Sequence, residues 1–309
     1  MDKFVNTLQV ILPIFAMVFL GVLSRRRGIL SQEDNQGLQR FVMAFGMPCI
    51  LFNSTLTASV GSGAAVSMVM IPLLLLPACF LAFRARRARV PYHNFPMLFA
   101  AQETGMLGIP LFITLFGAGD AYRMGVLDLA QAVISISVIT ILAADLGSHP
   151  SPAVIAGKVL RSPFLIASVL GLALNLSGIA GWLHRAGVLR VVTGTTEFIA
   201  QPVSAVMLFS VGYSFSLEGR EKQLILRLVA LRIAVFLVFG LAMQGVLCLL
   251  PQADPLSRWA ALLYAALPAS YIAPTLARNG KEATLASGVC SLTTIFTLVV
   301  FCVIAAITA

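Results

Sequence analysis

The strongest constraint on this chain is a series of ten apolar stretches, each long enough to cross a bilayer and most joined by short connections. They lie at about 6–24, 39–57, 65–83, 94–116, 123–144, 163–181, 195–215, 224–247, 258–278 and 283–307. The hydrocarbon core of a membrane takes about 20 helical residues. Within it every backbone N–H and C=O must be bonded inside the protein, a demand a helix meets within one segment. The chain therefore reads as an all-α polytopic membrane protein. Ten such spans use up most of the 309 residues, so any function must sit between them. Composition agrees, with 59% hydrophobic and 11% charged residues, against about 25% charged in soluble domains. A soluble enzyme, a disordered chain and a fibrous protein are excluded.

The net charge of +9 reads as topology, not nucleic-acid binding, because the arginine clusters flank apolar runs and no aromatic residues interleave them. Fifteen Lys and Arg fall in the odd-numbered loops, among them Arg25, Arg26, Arg27, Arg84, Arg86, Arg87, Arg89, Lys158 and Arg220, against five on the other side. This bias puts the odd loops in the cytoplasm and both termini outside, in a cell (inner) membrane. Asp2 and Lys3 before the first stretch and three arginines after it reverse the charge order of a signal peptide, so that stretch reads as a retained span. Arg232, about two turns into span 8, is expected to snorkel to the inner surface. Cys49, Cys79, Cys248, Cys290 and Cys302 form no CxxC pair and read as small buried hydrophobes. His93, His149 and His184 have no ligand spacing, so neither a metal nor a cofactor is expected.

The longest connection, 145–162, carries Ser148, Pro150, Ser151 and Pro152 and separates five spans (1–144) from five (163–309). An odd number of spans per half inverts the second half in the membrane, the plan of many secondary transporters. Phe41, Pro48 and Leu51-Phe52 in span 2 are echoed by Phe198, Pro202 and Leu208-Phe209 in span 7. Both fourth spans carry helix breakers near their centres: Gly105, Gly108 and Pro110 in span 4, Pro268 and Pro274 in span 9. Proline removes a helical hydrogen bond and clashes with the preceding turn. The backbone groups it frees must line a protein-enclosed or watery cavity. Paired breaks at corresponding places are a sequence pointer to a binding site; the alternative is that they only kink the spans for packing.

Half-helices that begin at midplane present free N–H groups and favour a carboxylate. Thr104, Gly105, Gly108, Pro110, Ser270, Tyr271 and Pro274 are the expected substrate site, with Asn53 and Gln201 near the matched prolines of spans 2 and 7. Glu103 is the sharpest single residue. A half-helix from Asn94 to Thr104 places it near midplane, beside a helix end rich in carbonyls. An intramembrane carboxyl is a functional-site candidate for H⁺ or Na⁺ coupling, with a protonated structural Glu as the alternative. Gln102 is grouped with it. Asp128 and Gln131, one turn apart in span 5, are the further coupling-ion or proton candidates, on a face that could meet the cavity, with a rim place or a helix–helix hydrogen bond as the alternatives; they lie about 8 and 12 Å from the outer end of the span by helix rise, which makes Asp128 too shallow to meet Glu103.

These residues resemble the auxin efflux carrier family, and the match covers essentially the whole chain. It rests on Leu12-Pro13-Ile14-Phe15 through Gly21 with Arg25–Ser31, on Leu38 to Phe52 with Met47-Pro48, on Gly105-x-x-Gly108-Ile109-Pro110-Leu111, and on Pro268-Ala269-Ser270 with Leu276-Ala277. The resemblance implies ten helices as two inverted five-helix repeats with broken, crossing helices 4 and 9. Spans 1, 2, 6 and 7 would form a scaffold domain and spans 3–5 and 8–10 a transport domain. It also implies a homodimer through the scaffold and elevator-type secondary transport of a small organic anion, such as malate, malonate or an auxin-like acid. The family often has Asn where this chain has Glu103, which raises proton or Na⁺ coupling against simple uniport. The rival readings are a Na⁺-coupled bile-acid-like symporter or a cation/proton antiporter on a related plan. A more remote rival is an intramembrane enzyme, for which no catalytic constellation is present.

Overall fold

The computed structural model describes residues 2–58, 62–88, 90, 92–145, 154, 157, 160–216, 221–250 and 254–308. Arg89, His149, Lys158, Arg220 and most of the 145–162 connection lie outside the described residues.

The regular secondary structure of the described residues is all helical, apart from one isolated antiparallel bridge between Gln102 and Ala269. In chain order the helices are α1 (Asp2–Arg27), α2 (Gln32–Phe41), α3 (Met47–Leu56), α4 (Ser62–Ala88), α5 (Met97–Ala100), α6 (Ile109–Phe116) and α7 (Tyr122–Ala144). The second half supplies α8 (Pro163–Leu176), α9 (Ile179–Arg185), α10 (Val188–Ala200), α11 (Val203–Ser214), α12 (Lys222–Leu249), α13 (Pro255–Ala266) and α14 (Gly280–Thr308). Among the described residues, five helices are long and apolar enough to cross a membrane alone: α1, α4, α7, α12 and α14. A sixth candidate is the pair α8 and α9, which meet at 76° through Gly178 at φ 75°, a backbone conformation that costs glycine little.

The other four apolar stretches are interrupted. A wide π-type turn at Val42–Gly46 separates α2 from α3, and Gln201-Pro202 separates α10 from α11. Stretches 4 and 9 are broken more severely, as described below. Helix starts follow local chemistry. Ser31 and Asp34 form a capping box at α2. Asp254 caps α13, accepting from Ser257 N at 2.9 Å and from Arg123 Nε at 3.1 Å.

The core holds Phe112, Phe236, Tyr264 and Phe301. Leu73, Phe80, Leu176, Phe198 and Leu241 stay on the outside, a surface suited to hydrocarbon rather than water. Two helix pairs approach closely through glycine. A Cβ placed on Gly21 of α1 would lie 2.0 Å from Phe209 O and 2.7 Å from Tyr213 N of α11; one on Gly171 of α8 would lie 2.5 Å from Phe52 O and 3.2 Å from Leu56 N of α3. Each glycine thus meets a carbonyl and the N–H one turn later, in the helix pairs that an inverted repeat would relate. Gly212 closes the first contact from the other side, 1.9 Å from Val18 O by the same measure.

At one end of the bundle Arg86 ties α4 to α7. Its Nη2 bonds Asp145 Oδ2 at 2.8 Å and lies 3.1 Å from His93 Nδ1. Burial, then the Arg278 and Arg86 charges, hold the His93 ring below the usual imidazole range. The Arg86 hydrogen bond, above all, holds Asp145 below the usual carboxylate range.

Two outcomes follow from this packing. Gly212→Val should lower the stability of the purified protein by about 1–3 kcal/mol, read as a melting-temperature loss in detergent. Acid should also destabilise the fold. The folded state resists charging His93, so stability falls as pH drops below about 6.5, the unfolded imidazole's range. Asp145 contributes above about pH 4 and loses that contribution as pH falls through its depressed value. Melting temperature should therefore fall from about pH 7 to pH 5, and His93→Gln should flatten that part of the curve.

Candidate substrate and coupling site

The two severe breaks meet. In the first half α5 is only four residues long, and Ala101 is extended at φ −151°, ψ 146°. A π-type turn at Thr104–Gly108 then leads into α6, with Pro110 in its first turn. In the second half α13 stops at Ala266, Leu267 is extended, and the chain runs to a short 3₁₀ turn at Ala273–Leu276 containing Pro274. The extended pieces lie antiparallel: Glu103 N donates to Pro268 O at 3.0 Å, and Ser270 N donates to Ala101 O at 3.2 Å. Backbone groups that lose their helical partners at the prolines thus satisfy one another, as burial in a membrane requires.

A polar cluster holds the first break from behind. Gln131 of α7 accepts from Gln102 N at 2.8 Å, and its Nε2, with two N–H to give, lies within bonding distance of three acceptors, Gln102 O at 2.9 Å, Thr104 Oγ1 at 2.8 Å and Asp128 Oδ1 at 2.8 Å. Tyr264 OH of α13 also donates to Gln131 Oε1, at 2.8 Å. One glutamine therefore links α7, α13 and the break. Arg232 of α12 donates to Gln102 Oε1, and its guanidinium lies over the Phe236 ring, 4.4 Å from the centroid.

Three expectations from the sequence change here. Arg232 does not snorkel: it is 2% exposed, because an amide acceptor and an aromatic face receive it inside the protein. Asp128 is not too shallow to reach the first break: of the rim and the helix–helix hydrogen bond open to it and Gln131, the structure shows the second, with Gln131 bonding both Asp128 and Thr104 beside Glu103. Helix rise alone misplaced them because it takes no account of how α7 and the broken segment lie against each other. Glu103 does not sit at the carbonyl end of a half-helix. The segment before it unwinds after Ala100, and Glu103 instead caps the segment that follows. Its Oε1 accepts from Met106 N at 3.3 Å and its Oε2 from Tyr271 N at 2.7 Å. The carboxyl thus bridges an amide from each break.

Glu103 faces a cavity of about 510 Å³. Ser270, Tyr271 and Pro274 of the second break line it with Asn35, Gln36 and Gln39 of α2, Met43, Met106, and Ser287, Cys290, Ser291 and Thr294 of α14. Tyr271 OH and Thr294 Oγ1 are 2.8 Å apart. Arg25 stands at the mouth, where its Nη1 bonds Phe215 O at 3.2 Å at the end of α11.

Of the residues singled out in the sequence, Glu103, Ser270, Tyr271 and Pro274 line this cavity. Gln102, Thr104, Asp128 and Gln131 stand behind the break. Gly105 belongs to the turn, with Met43 Cε 3.7 Å from where its Cβ would be. Gly108 and Pro110 are packing positions: a Cβ on Gly108 would lie 2.7 Å from Leu267 Cδ1 and 2.9 Å from Met124 Cε, and Pro110 is buried at the start of α6. Asn53 and Gln201 are elsewhere. Asn53 Oδ1 accepts from Thr196 Oγ1 at 2.7 Å, joining α3 to α10, and Gln201 is exposed at the turn after α10.

Two cavity walls went unnoticed in the sequence, although both left a signal. Gln32, Asn35, Gln36 and Gln39 recur at i, i+3, i+4 and i+7, as do Ser287, Cys290, Ser291 and Thr294. Each set is a polar stripe on one face of a helix.

A family model described as "Membrane transport protein" matches residues 7–305. The chain belongs to this family, the auxin efflux carriers. It is a multi-pass membrane protein of a transporter family, which points away from an enzyme. A relative in Methanothermobacter thermautotrophicus (strain Delta H), named an uncharacterized transporter, is 24% identical over 310 residues, covering 96% of each chain.

Replacing Gln131 by Leu should leave Gln102 N and the Tyr264 hydroxyl without the partner seen here, while Gln102 O keeps Thr104 N. The expected loss is about 3 kcal/mol or more, read by thermal denaturation in detergent, with Gln131→Glu retaining more stability than Gln131→Leu.

Proposed function

We propose that this auxin efflux carrier homologue is a secondary transporter for a small organic anion. The solute class is a mono- or dicarboxylate of the size of malate, malonate or an auxin-like acid, bound where the two broken helices cross. The observation that carries the reading is the crossing itself. Two interrupted segments, one from each half of the chain, meet antiparallel beside a polar cavity within an otherwise apolar bundle. Their amides at Met106 and Tyr271 face one carboxylate already, so the place suits a carboxylate chemically.

In this reading the chain is two inverted five-span repeats, 1–144 and 163–309. The reciprocal glycine contacts of α1 with α11 and of α8 with α3 support that symmetry. Spans 1, 2, 6 and 7 form a scaffold through which two copies pair. Spans 3–5 and 8–10 carry the crossing as a transport unit, and alternating access is an elevator-type movement of that unit. The cavity mouth lies beside Arg25 on the side that the charge bias puts in the cytoplasm, so the described conformation faces inward in a cell membrane. Glu103 is the group through which H⁺ or Na⁺ couples.

One observation favours a second reading. Gln131 bonds Asp128 and also Thr104, the neighbour of Glu103, so two carboxyls lie close to the first break, and such a pair near midplane is what a cation/proton antiporter needs. The hydrogen bonds weigh against it: both Glu103 oxygens face N–H donors, which are poor company for a cation.

Solid-supported-membrane currents from proteoliposomes test the function. Malate, malonate and an aromatic acid should be offered singly, with and without Na⁺, at two pH values. Current or labelled uptake for at least one acid is expected. Folded protein that is silent to all of them, yet releases protons on addition of Na⁺ or K⁺, would overturn the anion reading in favour of antiport. Gly108→Val, which drives a side chain against Leu267 and Met124, should slow transport by about 100-fold, the scale on which small misplacements act, while the protein still folds.

A further inference from the structure

Glu103 already occupies the place that an anion would take. One oxygen accepts from Met106 N in the first break and the other from Tyr271 N in the second, at 3.3 and 2.7 Å. Glu103 is 8% exposed and faces a cavity of about 510 Å³. We propose that Glu103 is a tethered competitor: its carboxylate holds the paired amides that a solute carboxylate needs, so the solute binds only together with a proton on Glu103, and transport is carboxylate–proton symport. This rests on the anion reading above and sharpens it by naming the coupling ion and how it couples.

The argument is one of donors and acceptors. An ionised carboxylate accepts at both oxygens; a protonated one keeps a single carbonyl acceptor and gains an O–H donor. Protonation therefore frees one of the two amides and adds a donor beside it, and a solute carboxylate can take both. Without the proton, two anions would share one desolvated site, which their repulsion forbids. Sodium would not do the same, because its site needs several oxygen ligands and here each Glu103 oxygen is turned toward an N–H.

The groups around Glu103 leave it as the variable one. Behind it, across the first break, Asp128 sits in the glutamine cluster, and Arg232 of α12 bonds Gln102. Tyr264 of α13 bonds Gln131. In front, Tyr271 of the second break is paired with Thr294, and Cys290 of α14 is placed to donate to Ser270 O. Tyr213 of α11 bonds Leu30 O, and Arg25 of α1 stays at the mouth. Among these, Glu103 alone has its charged atoms held by two backbone amides at the cavity wall.

The test is direct binding to full-length protein in detergent, using malate and phenylacetate, which stay largely ionised from about pH 6 to pH 8.5. In wild type, affinity should fall by about tenfold per pH unit above the Glu103 midpoint, since proton and solute binding are reciprocally linked. Na⁺ should have no effect. Glu103→Gln presents one acceptor and one donor, as the protonated acid does, so it should bind with affinity independent of pH. Glu103→Ala vacates the amides, and acetate should raise its melting temperature at pH 8 but not that of wild type. Glu103→Gln that keeps the wild-type pH slope, or binds nothing while melting like wild type, overturns the proposal. So does wild-type binding that is indifferent to pH, which would leave the anion reading intact. No binding of either acid at any pH, with amines binding more tightly as pH rises, would overturn both.

Discussion

Everything at the centre of this molecule depends on finding partners for backbone groups that three prolines and a few glycines remove from helices. In water such groups would be solvated, and the breaks would be cheap. In a bilayer they must be bonded within the protein. The chain's solution is reciprocal, since each break supplies what the other lacks. Glu103 N reaches Pro268 O, Ser270 N reaches Ala101 O, and the remaining amides at Met106 and Tyr271 are taken by the Glu103 carboxylate. Neither break would be stable alone, which ties the two halves of the chain together at one point.

That dependence explains the polar cluster on the far side of the crossing. Extended residues in a helical bundle have no regular neighbours, so side chains must supply backbone hydrogen bonds. Gln131 does this for both the N–H and the C=O of Gln102, imitating an adjacent strand. Tyr264 and Asp128 fix the orientation of its amide in turn. Arg232 brings a charge into the same region, and its Nη1 has no partner among the described residues.

Much of this was legible in the sequence, for identifiable reasons. Apolar run length gave the membrane class and the helical content, because the bilayer imposes both. Pro110, Pro268 and Pro274 marked the breaks, because their effect on a helix is local. Pairwise placement was not legible. Helix rise put Asp128 and Gln131 near an outer edge, but distance along one axis says nothing of which neighbour crosses there. Arg232 looked like a snorkelling residue because its acceptor, Gln102, lies 130 residues away in sequence. Pro202 gave a real interruption before α11, yet Gln201 beside it is on the surface, since a helix breaker marks a turn and not a site.

The polar stripes of α2 and α14 show how a sequence carries such information when periodicity is read for polar rather than apolar residues. Gln32, Asn35, Gln36 and Gln39 share one helical face, and so do Ser287, Cys290, Ser291 and Thr294. In a soluble protein a polar stripe faces solvent and says little. Within an apolar span, as in α14, the same stripe has only two destinations, another helix or an aqueous space, because lipid would leave its groups unbonded, whereas α2 starts in the loop before span 2, where water is already at hand. Here both stripes face one cavity, with Glu103 and Tyr271 between them. Apart from Glu103 and Arg25 at the mouth, the cavity lining is hydroxyl, amide, thiol and apolar. A lining with so few fixed charges leaves the protonation of Glu103 as the main electrical difference between a site that accepts an anion and one that does not.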